Sequence, residues 1–177
     1  MGIGRHWKNG RSFIKLNPDG SVKSYSKISA TSGGLTAAGV TLTAGQFFGY
    51  GVTTIGDLDG DSIQDIAVGA RRNGATQDGG VVYITFMNRD GTVKAIQPIS
   101  NITGNLGHAL ASSDFFGESV SNLGTIDGVP TLAVSNANDS EGGSNRGSIF
   151  ILRLNPDGTA MTNQTVKISN TSGGFAG

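Results

Sequence analysis

The chain has 177 residues, 13 of them basic and 13 acidic, so its zero formal net charge offers no electrostatic footprint for nucleic acid or an anionic membrane surface. Cysteine is absent, which excludes disulfides, thiolate metal sites and a cysteine nucleophile; the 36% of hydrophobic residues fall in short runs with no membrane span among them. The 29 glycines, about one residue in six, mark a chain dense in turns.

The opening residues, Met1-Gly-Ile-Gly-Arg-His-Trp-Lys8, contain no apolar run of signal-peptide length. Residues 11–16 read as a strand that enters the turn Asn17-Pro-Asp-Gly20, and 30–46, without regular alternation, read as a loop. The next stretch is the most regular. Residues 48–58, 65–70, 81–87 and 92–100 are short, rich in Val, Ile, Phe and Thr, and bounded by Gly, Asp and Asn clusters, which predicts four strands. A loop of aspartates joins the first two, Asn88-Arg-Asp-Gly91 makes a hairpin turn between the last two, and 71–79 and 101–114 are loops. No amphipathic helix of useful length occurs.

From Phe115 the pattern begins again. Phe47-Phe-Gly49 returns as Phe115-Phe-Gly117, and Asn17-Pro-Asp-Gly-Ser21 returns as Asn88-Arg-Asp-Gly-Thr92 and Asn155-Pro-Asp-Gly-Thr159, at offsets of 71 and 67. Lys27-Ile-Ser29 likewise returns as Pro98-Ile-Ser100 and Lys167-Ile-Ser169. One unit is thus written about two and a half times: a partial unit over 1–46, holding its last two strands and a loop, then units over 47–114 and 115–177. Four antiparallel strands repeated with a long connection describe an all-β chain made of β-propeller blades; periodicity alone leaves a β-sandwich or a β-solenoid open. Because a closed propeller takes 4 to 8 blades, the expectation is a partial propeller and a fragment of a larger ring.

The chemistry concentrates in Asp57-Leu-Asp-Gly-Asp-Ser-Ile-Gln-Asp65. Like charges in one tight turn repel unless a hard cation sits among them, and oxygen ligands at this density suit Ca²⁺. Asp57, Asp59 and Asp61 by side chain and Ile63 by carbonyl match the first half of an EF-hand loop, and Asp65 would close the shell. The loop is not an EF-hand: Ser62 stands at position six, Val68 at position twelve, and the flanks are strands.

Phe48-Gly49, the Asp-Leu-Asp-Gly-Asp loop and Asp65-Ile-Ala-Val-Gly-Ala70, in that order and at blade spacing, resemble the FG-GAP repeats of integrin-α-type propellers. The resemblance implies that the Phe-Gly and Gly-Ala elements pack blades together and that Asp57, Asp59, Asp61, Asp65 and the Ile63 carbonyl bind Ca²⁺. Arg71 stands where the name-giving motif has Pro, and the last unit reads Ser135-Asn-Ala137. In that unit the loop is two residues shorter and only Asp127 remains acidic, so one metal site is expected and not two.

Other candidates are weaker. His6 and His108 lack a second ligand at metal spacing, Ser119 fails the nucleophile-elbow pattern, and Gly49-Tyr-Gly51 lacks the rest of a phosphate loop. Asp139 and Glu141 lie in a stretch of loop composition and read as solvated. Phe47, Phe48, Phe115 and Phe116 recur in register and read as interblade packing, with Phe48 and Phe116 buried equivalents, while Trp7 and Tyr50 are unrepeated. The sequence predicts a non-enzymatic, Ca²⁺-binding scaffold for a protein or glycan ligand, in an extracellular or cell-surface adhesion-like setting that the resemblance implies, with no nucleic acid partner and no membrane insertion. The alternative is an accessory propeller of a larger hydrolase, since similar repeats accompany the catalytic region of a glycosylphosphatidylinositol-specific phospholipase D. A third class is an assembly that closes a ring from several copies.

Overall fold

The computed structural model describes residues 10–72 and 79–174. Ten strands follow in chain order: β1 (Gly10–Leu16), β2 (Val22–Ser29), β3 (Phe48–Gly56), β4 (Asp65–Ala70), β5 (Val81–Met87), β6 (Val93–Ile99), β7 (Phe116–Ile126), β8 (Val129–Asn136), β9 (Ser148–Arg153) and β10 (Val166–Ile168). They form a two-stranded sheet, β1-β2, and two four-stranded meanders, β3-β4-β5-β6 and β7-β8-β9-β10. Every neighbouring pair is antiparallel. The fold is all-β and built from propeller-type blades. No helix among the described residues is long and apolar enough to cross a membrane.

The predicted strands stand with small trims. The first strand of the central unit ends at Gly56 rather than 58, because the ladder is irregular between Thr54 and Gly56 and Gly56 takes φ 82°. The fourth loses one residue at each end. Thr92 turns its N–H to the Asp90 carboxylate at 2.9 Å, and Ser100 donates to the Thr103 carbonyl at 3.0 Å.

Apolar residues collect in two layers, each lying between successive units. Ile28, Leu35 and Leu42 of the first unit close on Phe48, Val68, Val81 and Met87 of the second. Val82, Ile84, Phe86 and Ile99 of the second close on Phe116, Val134, Leu152 and Leu154 of the third. Alternation explains this division: Val82, Ile84 and Phe86 point to one face of β5 and Val81, Tyr83 and Met87 to the other, so β5 is buried throughout. Phe48 and Phe116 are buried as expected, Phe48 against Tyr83 at 5.6 Å and Phe116 edge-on to Phe150 at 5.4 Å.

The blades also meet main chain to main chain. At Gly69 a Cβ would overlap the Gly117 carbonyl oxygen, and at Gly51 it would lie 2.9 Å from the Val120 nitrogen. Phe116 donates its N–H to the Gly79 carbonyl at 2.8 Å across the same joint. The preceding phenylalanines behave differently. Phe47 and Phe115, with φ of 57° and 61°, are half-buried, and the Arg71 guanidinium lies 4.5 Å and 5.0 Å from their ring centroids. The position that departs from the repeat motif thus carries a cation shared by two successive Phe-Phe-Gly corners.

Candidate metal centre

The loop between β3 and β4 is organised by its own aspartates. Asp57 Oδ1 accepts the N–H groups of Gly60 (2.8 Å) and Asp61 (2.9 Å), and its Oδ2 accepts that of Ser62 (2.8 Å). Asp61 Oδ1 accepts the Ile63 N–H at 2.8 Å. These bonds, with Gly60 at φ 81° and Ser62 at φ 66°, curl the chain so that carboxylates at alternate positions face one another. One oxygen each from Asp57, Asp59 and Asp61 lies within 4.8 Å of the others, and all three residues are exposed.

Asp65 occupies a different position. It is buried, its Oδ2 accepts the Leu58 N–H and its Oδ1 the Met87 N–H, both at 3.0 Å, so it ties the loop to the end of β5 from beneath. Burial pushes its carboxyl above the ordinary range, the two backbone bonds oppose that shift, and the charges of Asp59 and Asp61 add to it. Asp65 therefore feels the cluster without standing in the group of three. Ile63 is half-buried against the first apolar layer.

Lys94, near the start of β6, reaches into the loop, its Nζ 2.6 Å from Asp59 Oδ2 and also bonded to Asp61 Oδ2. The two carboxylates that accept its protons hold the ammonium well above its usual pKa, and the Lys94 hydrogen bond, with that from Ile63, holds Asp61 below its own. Sequence spacing gave no signal for Lys94: it lies 33 residues from Asp61 and meets it only because the β3–β4 and β5–β6 connections share one end of the sheet. Its counterparts in the repeat are Lys23 and Met161.

The donor set suits a hard divalent cation. The three oxygens lie within 4.8 Å of one another, the range spanned by ligands of one Ca²⁺ at about 2.3–2.6 Å, and every donor is oxygen. The loop already gathers a positive charge, the Lys94 ammonium, onto two of the three carboxylates.

In the last unit the same connection is a two-residue hairpin. Asp127 and Gly128 take φ of 51° and 80°, the left-handed pair that closes a tight turn, and β7 and β8 run on to Ile126 and Val129. Asp127 projects into solvent, 3.6 Å from the Arg153 guanidinium, and among the described residues it belongs to no group of three possible ligands.

His108 is half-buried with its ring edge-on to Phe150 at 5.3 Å. Ser119 is exposed and its N–H bonds the Ser135 hydroxyl. Tyr50 is exposed beside Phe47 and Arg71. His6 and Trp7 lie outside the described residues.

The solvated reading of Asp139 and Glu141 is corrected. Asp139 is buried, 2.5 Å from the Ser148 hydroxyl and 2.6 Å from Lys167 Nζ, and Glu141 also pairs with Lys167 at 2.6 Å. Loop composition concealed this because Lys167 arrives from β10, far along the chain. Both carboxyls are held below their ordinary values: at Asp139 burial opposes the shift and the Lys167 and Ser148 bonds outweigh it, and at Glu141 the Lys167 bond leads. Paired in this way, they form a structural ion triad and not an acid/base couple.

No curated protein matches the chain. The family model of the FG-GAP repeat matches residues 48–85, from the start of β3 through the aspartate loop and β4 into β5, so this segment, inside the first of the two four-stranded meanders, is an FG-GAP repeat in a propeller-type all-β fold.

Proposed function

We propose that this chain is a Ca²⁺-binding β-propeller repeat region, acting without catalysis as a scaffold for a protein or glycan ligand in an extracellular or cell-surface, adhesion-like setting. The observation that carries the reading is the convergence of Asp57, Asp59 and Asp61 on one point. Those three side chains would hold the ion, with the Ile63 carbonyl and Asp65 completing the set from the β4 side. The ion would supply charge neutralisation, fixing a loop whose acidic side chains otherwise repel. Millimolar Ca²⁺ outside cells matches the affinity range of such modules.

Titration calorimetry tests this reading. One Ca²⁺ should bind per chain, and Asp59→Ala should remove binding, since it deletes a central charge and leaves a coordination position empty. Two equivalent sites, or unchanged binding in the Asp59→Ala protein, would defeat the proposal. With a dissociation constant on the order of 10⁻⁴ M, about 1 mM Ca²⁺ should stabilise the fold by roughly 1.4 kcal/mol.

A further inference from the structure

The chain contains two joints between successive units, and they are built from the same parts. In each, a cross-strand pair at the base of the outer hairpin is driven into the preceding unit. Met87 and Val93 are 5% and 6% exposed, and their counterparts Leu154 and Ala160 are 2% and 0%. In each, the second member of the pair donates its N–H to a glycine carbonyl of the preceding unit, Val93 to Gly33 at 2.8 Å and Ala160 to Gly104 at 2.9 Å. The hairpin glycine closes on the preceding outer strand: a Cβ at Gly91 would lie 2.6 Å from Ser26 Oγ, and one at Gly158 would lie 3.0 Å from Gln97 Cβ.

The first unit presents this inserting half uncovered. Leu16 and Val22 are register partners at the same place, yet they are 57% and 59% exposed, and nothing lies within 4 Å of a Cβ built on Gly20. The last unit presents the receiving half uncovered. Val82 and Ile99, partners across β5 and β6, are both 0% exposed, whereas at the equivalent pair, Ile149 and Ile168, Ile149 is 47% exposed. The acceptor position is also formed: Gly173 takes φ 75°, against 79° at Gly33 and 72° at Gly104. The turn before it is closed by Ser169 N–H to the Ser172 carbonyl at 3.1 Å, as Ser29 and Ser100 close theirs at 2.9 Å and 3.0 Å.

We propose that the β1–β2 hairpin of one copy of this chain docks on the β9–β10 face of a second copy, repeating the internal joint between molecules. Leu16 and Val22 would cover Ile149 and Ile168, and the Val22 N–H would be donated to the Gly173 carbonyl of the second copy. The two faces are different surfaces, so the contact is heterologous and copies add head to tail. The contact involves no residue of the metal loop and is independent of Ca²⁺.

Light scattering coupled to gel filtration tests it with Leu16→Glu, which closes the inserting face, and Ile149→Glu, which closes the receiving face. The mass of the unaltered chain should rise with concentration, each variant alone should stay monomeric, and an equimolar mixture should form a dimer and nothing larger. A monomeric unaltered chain at its highest soluble concentration, a variant that still assembles, or a mixture that remains monomeric would overturn the proposal. Both residues are exposed, so at a concentration where the unaltered chain is monomeric the variants should share its urea midpoint. A second readout does not depend on those variants: the chain holds no cysteine, so oxidised Leu16→Cys mixed with Ile149→Cys should cross-link as a mixed dimer. Cross-linking no greater in the mixture than in either variant alone would also overturn it.

Discussion

Phe116→Ala removes one of the three phenylalanine rings from the layer between the second and third units. Phe116 is fully buried, its ring meets Phe150 at 5.4 Å with planes 89° apart, and its N–H is held by the Gly79 carbonyl, so the backbone stays in place and the vacated space cannot close by local collapse. The loss should reach about 3–5 kcal/mol, the range for a buried Phe→Ala cavity. The ring pair contributes about 0.5–1.5 kcal/mol of that, measurable as the coupling in a double-mutant cycle with Phe150→Ala. Urea denaturation followed by circular dichroism is the assay. With a slope of about 2 kcal/mol/M, the midpoint should fall by about 1.5–2.5 M while the slope stays constant. A loss under about 1 kcal/mol would show that Phe116 does not hold the blades together, and the interblade packing argument would fail with it.

Gly69→Ala should cost at least about 2 kcal/mol in the same assay, since its Cβ would displace the Gly117 main chain; a neutral result would show that the blades do not meet there. Lys94→Met should tighten Ca²⁺ binding severalfold by calorimetry, because the ammonium that competes for Asp59 and Asp61 is gone; weaker binding would show instead that Lys94 holds the loop in its binding shape. Lys167→Met should cost about 3 kcal/mol, the low end for breaking a buried pair, because Asp139 keeps its bonds from Ser148 and the Glu141 N–H. The pKa values of Asp139 and Glu141 are depressed in the folded state, so their stabilisation is complete above their unfolded values of 3.8 and 4.5 and drains as pH falls through the lower folded ones. Lys167→Met should therefore flatten the acid limb of the stability profile, and an unchanged limb would remove the triad from it.

The strand pattern was legible because burial in this fold is periodic. Val81 to Met87 reads as one apolar run since both faces of β5 are covered, and the Asn-Xaa-Asp-Gly turns place a glycine where φ is positive in all three units, at Gly20, Gly91 and Gly158. The aspartate loop was legible for a different reason, because the spacing of its carboxylates is local. What escaped was long-range. Neither Lys94 on Asp59 nor Lys167 on Asp139 follows from spacing, because each contact is made when strands distant in sequence end beside one another. Asp65 shows the limit in another way: its position in the motif suggests a ligand, while its bonds to Leu58 and Met87 show a carboxylate that also fastens the loop to the sheet.

The glycine contacts carry a geometric consequence. Where Gly51 and Gly69 meet the main chain at 117–120, the separation of neighbouring blades is set by peptide groups, whose thickness does not vary with sequence. Farther out, β5 and β9 are held apart by Ile84, Phe86, Leu152 and Leu154, whose bulk does vary. Each blade is therefore a wedge with a fixed thin edge and an adjustable thick one, and the wedge angle decides how many blades complete a circle. Exchanging those outer side chains for smaller ones would narrow the wedge and open the curvature of the array without touching a turn or a strand. The outer spacing of these blades thus follows side-chain volume at Ile84, Phe86 and Leu152 on their third strands and at Leu154 just beyond.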